Sequence, residues 1–201
     1  ARLARAYEAQ GDHDAAQRAL QTAAQLGQGS DYALVMALVA ELQVRLWLAQ
    51  GKMAAASRWA QERVRHAVHE LDAGQEIEQR AAARALVAQN RPGQATRLLT
   101  RLVDAAQMAG RMESAIKSLA LQALAYHAQD DPDRALSSLE RALLLAEPEG
   151  YVRTFVDEGE PMAALLRRAL SQEIAPNYAA LLLGAFDRAA EAGTPANESL
   201  V

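Results

Sequence analysis

The stretch Ala9-Gln10-Gly11-Asp12-His13-Asp14-Ala15-Ala16 returns as Ala49-Gln50-Gly51-Lys52-Met53-Ala54-Ala55-Ala56. It returns again as Ala88-Gln89-Asn90-Arg91-Pro92-Gly93-Gln94-Ala95, and a last time as Ala128-Gln129-Asp130-Asp131-Pro132-Asp133-Arg134-Ala135. The glutamines at 10, 50, 89 and 129 are spaced by 40, 39 and 40 residues, and the trailing alanines at 16, 56, 95 and 135 keep the same steps. A fixed period in this range marks a helical solenoid. The phrase reads as the bend of a helical hairpin. Gly, Asn and Asp accept a left-handed backbone, Pro92 and Pro132 suit the first turn of the following helix, and the trailing alanine lets two helices approach closely. None of these residues carries chemistry.

Composition supports the same class. Of 201 residues 51% are hydrophobic, many of them alanine, while aromatics make up only 4%. That balance favours close-packed helices over a sheet, which draws on β-branched and aromatic side chains. A formal net charge of −4 argues against a chain that grips nucleic acid by itself. The absence of cysteine excludes disulfides, thiolate chemistry and Cys-based zinc sites. No apolar run approaches membrane-spanning length, and the first residues do not resemble a signal peptide. Because Ala1–Gln10 reads as the second half of a helix, the sequence is expected to be part of a longer cytoplasmic protein.

Around the four bends the pattern predicts paired helices. In the first repeat the second helix runs over about 14–26, ended by Gly27-Gln28-Gly29-Ser30-Asp31, where Ser30 or Asp31 can cap the next helix. The second repeat is expected to span a helix to Gln50 and another over 53–69. The third spans 75–89 and 92–109, and the fourth 111–129 and 132–146. Four residues ahead of Gly11, Gly51, Asn90 and Asp130 stand Tyr7, Trp47, Leu86 and Tyr126; three residues earlier again stand the small or branched Ala4, Val44, Ala83 and Ala123. This large-plus-small pair before a bend resembles the tetratricopeptide repeat, although that repeat is nearer 34 residues and these helices are longer. Core packing between paired helices is the expected role of Tyr7, Trp47 and Tyr126, since burying one ring stabilises by a few kcal/mol.

After Ala146 the rhythm stops at Glu147-Pro148-Glu149-Gly150. Further helices are expected over about 161–170 and 176–192, followed by the linker-like Gly193-Thr194-Pro195-Ala196-Asn197-Glu198-Ser199. Between them lies Glu149-Gly150-Tyr151-Val152-Arg153-Thr154-Phe155-Val156-Asp157-Glu158-Gly159-Glu160-Pro161-Met162, continuing to Leu165-Leu166. This segment closely resembles one found in large ATP-binding, LuxR-type bacterial transcription activators of the MalT type. The resemblance implies a helical-repeat sensor domain lying between an N-terminal nucleotide-binding module and a C-terminal helix-turn-helix. It is specific only over 149–166; elsewhere it holds in period and composition.

The implied organisation is an all-α, right-handed tetratricopeptide-like superhelix of about four hairpins over 1–147, capping and coupling helices over 148–193, and a linker over 194–201 towards a DNA-binding module. The implied role is sensing, through a small-molecule inducer or a protein partner, with a second copy of the chain as a possible further partner. The alternative is a protein-binding scaffold without a small-molecule site. No cofactor, membrane contact or catalysis is expected. DNA and ATP would enter only through modules absent from these residues. Gly51-Lys52-Met53 lacks the earlier glycine and the hydroxyl residue of a phosphate loop, and no helix-turn-helix sequence is present.

In a solenoid the first helix of each pair lines the concave face, where binding usually occurs. Projecting the alignment onto that face selects Arg5, Glu8, Glu41, Arg45, Arg80, Arg84, Glu113, Lys117, Leu124 and His127. Its basic centre at Arg45, Arg80, Arg84 and Lys117 suits an anionic or polyhydroxylated ligand, or an acidic peptide. The plainer reading is a solvated face in which Glu41 and Arg45 form an i,i+4 pair. Replacing Arg80 and Arg84 together by Ala is expected to abolish an inducer response without lowering stability. His66 and His69 stand three apart near Glu62 and Glu70, a spacing open to a metal but more often met at a surface. Asp157, Glu158 and Glu160 are expected to cap the following helix. Tyr151, Arg153, Phe155 and Asp157 belong to the expected coupling segment, with Tyr151 and Phe155 packing the final helices against the fourth repeat.

Overall fold

Each of the four bends closes in the same way. In the computed structural model, which describes residues 7, 11–26, 32–65 and 71–193, the residue after each repeated glutamine has a positive φ: 75° at Gly11, 68° at Gly51, 57° at Asn90 and 54° at Asp130. The next amide donates back to the carbonyl of the large residue of the repeat. These bonds are Asp12 to Tyr7 at 3.0 Å, Lys52 to Trp47 at 2.8 Å, Arg91 to Leu86 at 2.9 Å and Asp131 to Tyr126 at 3.1 Å. This six-to-one bond with a left-handed residue is the Schellman closure, which satisfies a carbonyl the helix end would otherwise leave open.

The described residues form ten α-helices and no strand: α1 (His13–Leu26), α2 (Tyr32–Ala49), α3 (Met53–Arg65), α4 (Ala73–Ala88), α5 (Pro92–Met108), α6 (Met112–His127), α7 (Pro132–Ala146), α8 (Arg153–Val156), α9 (Glu160–Ser171) and α10 (Pro176–Gly193). Glu147–Glu149 makes a 3₁₀ turn between α7 and α8. The predicted hairpins are therefore present, with the helix ends inside the described residues shifted by a residue or two and α7 keeping its expected bounds, while the end expected at 69 lies outside the described residues. The single-turn α8 lies inside a segment to which the sequence assigned no helix.

The trailing alanines make the close approach expected of them. Ala16, Ala56, Ala95 and Ala135 are at most 2% exposed. The small positions Val44, Ala83 and Ala123 are fully buried, while Trp47 and Tyr126 pack against the core as half-buried rings. Tyr126 also lies under the Arg134 guanidinium, 5.0 Å from its ring centre.

Paired helices divide the work between them. On α5 the buried Leu98, Leu99, Leu102, Val103 and Ala106 form one stripe at helical spacing. On α6 every residue from Ser118 to Ala125 is buried, because this helix has neighbours on several sides: α4, α5, α7 and α8. Stacking proceeds from one hairpin to the next through α2 against α4 and α4 against α6, which is the arrangement of a tetratricopeptide-like superhelix.

Two features lock the stack. Glu76 on α4, 1% exposed, accepts from Arg111 ahead of α6 at 2.6 and 3.1 Å, and Asp72 closes a capping box with Gln75 at the start of α4. Gln122 donates to Thr100 at 2.9 Å and accepts from the buried Ser138 at 3.2 Å, tying α5 of the third repeat to α6 and α7 of the fourth. Beyond α7, the fully buried Phe155 of α8 meets Tyr178 of α10 edge-on, with ring centres 6.2 Å apart at 88°. Tyr151 packs half-buried against the same core. Phe155 thus ties α8 to the terminal helix α10.

Candidate functional site: a carboxylate held in the concave groove

The groove is lined by α2, α4 and α6, and its centre is occupied by the chain itself. After α8 the backbone turns through Asp157 and Glu158 to Gly159, whose φ of 72° and ψ of −164° lie in a region essentially reserved for glycine. This turn directs Glu158 inward. Its Oε1 accepts from Arg45 Nη2 at 2.8 Å and from Arg84 Nη2 at 2.7 Å, and its Oε2 accepts from Arg84 Nη1 at 2.6 Å. The Arg84 contact is the two-pronged fork that suits guanidinium to carboxylate. Arg45 also donates from Nη1 to the Asp157 carbonyl at 3.2 Å. The three side chains are 16%, 14% and 6% exposed for Arg45, Arg84 and Glu158.

Electrostatics follow from that burial. Desolvation alone would raise the Glu158 pKa, but the charges of Arg84 and Arg45, with their hydrogen bonds, outweigh it and hold the carboxyl at about 2. Glu41 lies in a similar field. Burial works to raise its pKa, and Arg80, Arg45, Arg84 and Lys117 together lower it below the usual carboxylate range. Arg80 Nε stands 3.7 Å from Glu41 and its Nη1 donates to Ser114 Oγ at 3.3 Å.

Several sequence expectations change here. Arg80 is 3% exposed, so it belongs to a buried ion cluster rather than to an open basic surface. Replacing Arg80 and Arg84 together would strip partners from Glu41 and Glu158 and lower stability, contrary to the expected neutral effect. Glu158 does not cap α9. The position ahead of α9 is Gly159, which makes no side-chain cap, while Glu160 pairs with Arg167 at 2.6 Å and Asp157 with Arg153 at 2.7 Å. Lys117 and Glu113 form an outer i,i+4 pair at 2.6 Å. His127 is exposed at the cavity rim. Arg5, Glu8, His66, His69 and Glu70 lie outside the described residues, and among the described residues no cluster of His and acidic side chains has metal-binding geometry.

Glu158 divides the groove into two compartments. The larger, about 870 Å³, has apolar walls from Leu48, Val87, Leu121, Leu124, Pro161 and Ala164, with Arg45, Arg84, Asp157 and Glu158 at one end. The smaller, about 250 Å³, is bounded by Glu41, Arg80, Lys117, Arg153 and Thr154 and shares the Arg45–Arg84–Glu158 wall. Sequence reasoning found the arginines through the repeat alignment. It missed Glu158, because a one-turn helix and a glycine-specific turn leave no periodic trace.

A family model described as the MalT-like TPR region matches residues 1–172. The chain belongs to that family. The match takes in all four bends, the ion cluster and the whole of α9, so the groove and its internal carboxylate both lie within the MalT-like TPR region. No curated protein gives a significant match. A MalT-like TPR region is a scaffold-type helical-repeat domain, and domains of this architecture generally mediate interactions across their concave surfaces. Among the described residues no helix is long and apolar enough to cross a membrane.

Proposed function

We propose that this chain is the signal-sensing and interaction domain of a cytoplasmic LuxR-type transcription regulator, in which an inducer or partner engages the concave face and the segment after the repeats transmits the event. The division is repeats over 1–147, coupling helices over 148–193 and a linker over 194–201. Glu41, Arg45, Arg80, Arg84, Lys117 and His127 form or border the sensing groove, and Tyr151, Arg153, Phe155 and Asp157 belong to the coupling element. The role is non-catalytic.

One observation carries this reading. The coupling segment reaches the groove through Glu158, which is bonded at once to Arg45 of α2 and Arg84 of α4. Any occupant that alters those arginines alters the position of α8, and α8 is anchored through Phe155 to α10. Binding and output therefore share atoms, which is what a two-state coupling element requires.

The test combines a thermal-shift screen of sugars, phosphorylated metabolites, acyl compounds and aromatic acids with amide hydrogen exchange. A ligand at 100 times its Kd stabilises the fold by about 2.7 kcal/mol. The expected result is a stabilising compound that also changes exchange at 153–159. Stabilisation with unchanged exchange there would remove the coupling role, and silence across the panel would point to a protein-binding scaffold.

A further inference from the structure

The sensing reading leaves the chemistry of the ligand open, and the groove narrows it. Glu158 is an internal occupant of an anion site, a carboxylate gripped by two arginines from different repeats. That site is not isolated. Arg45 and Arg84 also form the end wall of the larger compartment, whose remaining walls are mainly aliphatic. Its volume of about 870 Å³ falls in the range of small-molecule sites, which join apolar walls to a few directional polar groups. An apolar body placed against Leu48, Val87, Leu121 and Leu124 would present its polar end to the guanidinium groups that now hold Glu158.

We infer that the groove binds an apolar monocarboxylate, whose body fills the aliphatic compartment and whose carboxylate replaces Glu158 on Arg45 and Arg84. This rests on the sensing reading and specifies its ligand. The displaced side chain has somewhere to go. Glu158 also borders the smaller compartment, where Lys117 and Arg153 stand. Lys117 is paired with Glu113 in a solvent-open contact that costs little to exchange, and Arg153, itself largely exposed, is paired with Asp157. The carboxylate thus has two sets of cations to choose between, and the ligand biases the choice. Because Glu158 sits between α8 and Gly159, its departure releases the turn that leads into α9.

Isothermal titration calorimetry with octanoate, octanol and acetate tests the assignment on the chain itself. Octanoate is expected to bind at one saturable site, with octanol and acetate each weaker by roughly tenfold or more, because each supplies only half of the recognition. Glu158→Gln removes the internal competitor's charge and should tighten octanoate roughly tenfold while leaving octanol unchanged. Ala88→Trp fills the aliphatic compartment from an exposed helix position one turn beyond Arg84, keeps both arginines in the chain, and should abolish octanoate binding. Octanol matching octanoate, octanoate binding intact in Ala88→Trp, or no octanoate binding at all would each overturn the inference, whether or not Glu158→Gln folds. A hit from another chemical class that changes exchange at 153–159 would do so too, while leaving the sensing reading in place.

Discussion

Arg84 and Glu158 are 74 residues apart in sequence and are joined by two hydrogen bonds of 2.6 and 2.7 Å. The contact links the second helical layer of the groove to the segment that follows the repeats. Breaking a buried ion pair by removing one partner leaves the other charge desolvated, a loss of about 3–5 kcal/mol. Glu158→Ala is therefore expected to lower unfolding free energy by about 3 kcal/mol. Urea denaturation checks this, and a change below about 1 kcal/mol would mean the pair is no stronger than a surface contact.

The same contact predicts an acid response. The folded Glu158 has a pKa of about 2 against an ordinary 4.5, so the folded state binds the proton less tightly than the unfolded chain does. Its contribution is fully present above pH 4.5 and is lost as pH falls through 2. Glu41, also lowered, acts in the same direction. The stability difference between the wild type and Glu158→Gln should shrink across that window, by on the order of 3 kcal/mol. A difference that stays constant from pH 5 to pH 2 would contradict the assignment.

Glu76 and Arg111 give an asymmetric prediction. Glu76 is 1% exposed, whereas the Arg111 side chain is 33% exposed. Arg111→Ala strands a buried carboxylate and should cost about 3 kcal/mol. Glu76→Gln leaves an arginine that can turn to water and should cost about 1 kcal/mol. Thermal or urea unfolding of the two variants should rank them in that order, and the reverse ranking would show that the cluster does not hold the stack as described.

At the bends the backbone sets the outcome. Asn90 and Asp130 have φ values of 57° and 54°. A branched residue there meets the left-handed penalty of about 1–2 kcal/mol, so Asn90→Val should lose that amount. Asn90→Gly should leave stability within about 0.5 kcal/mol. Equal effects from the two substitutions would mean the Schellman closure is not retained.

The hairpins were legible because their causes are local. A left-handed residue after each glutamine, a proline in the next first turn of the third and fourth repeats and an alanine at the helix crossing act within a few residues of one another, so repetition at about 40 residues exposed them. Burial at Ala56, Ala95 and Ala135 confirms that the period marks a packing requirement. Arg45, Arg80 and Arg84 were found by the same alignment, since repeat position dictates helix face. What that alignment could not tell was whether the face met solvent. Arg80 and Arg84 turned out to be enclosed, and their partners came from elsewhere in the chain.

By itself, the sequence determined the all-α repeat architecture, the four bends, the face on which the arginines stand and the likeness over 149–166. Tertiary structure alone decided what the arginines hold. Glu158 reaches them only because the stacked hairpins, the buried Phe155 and the glycine-specific turn at Gly159 bring the segment after the repeats across α2 and α4. Short-range propensity is written into neighbouring residues, whereas a charge pair separated by 74 positions exists only once every intervening helix has packed.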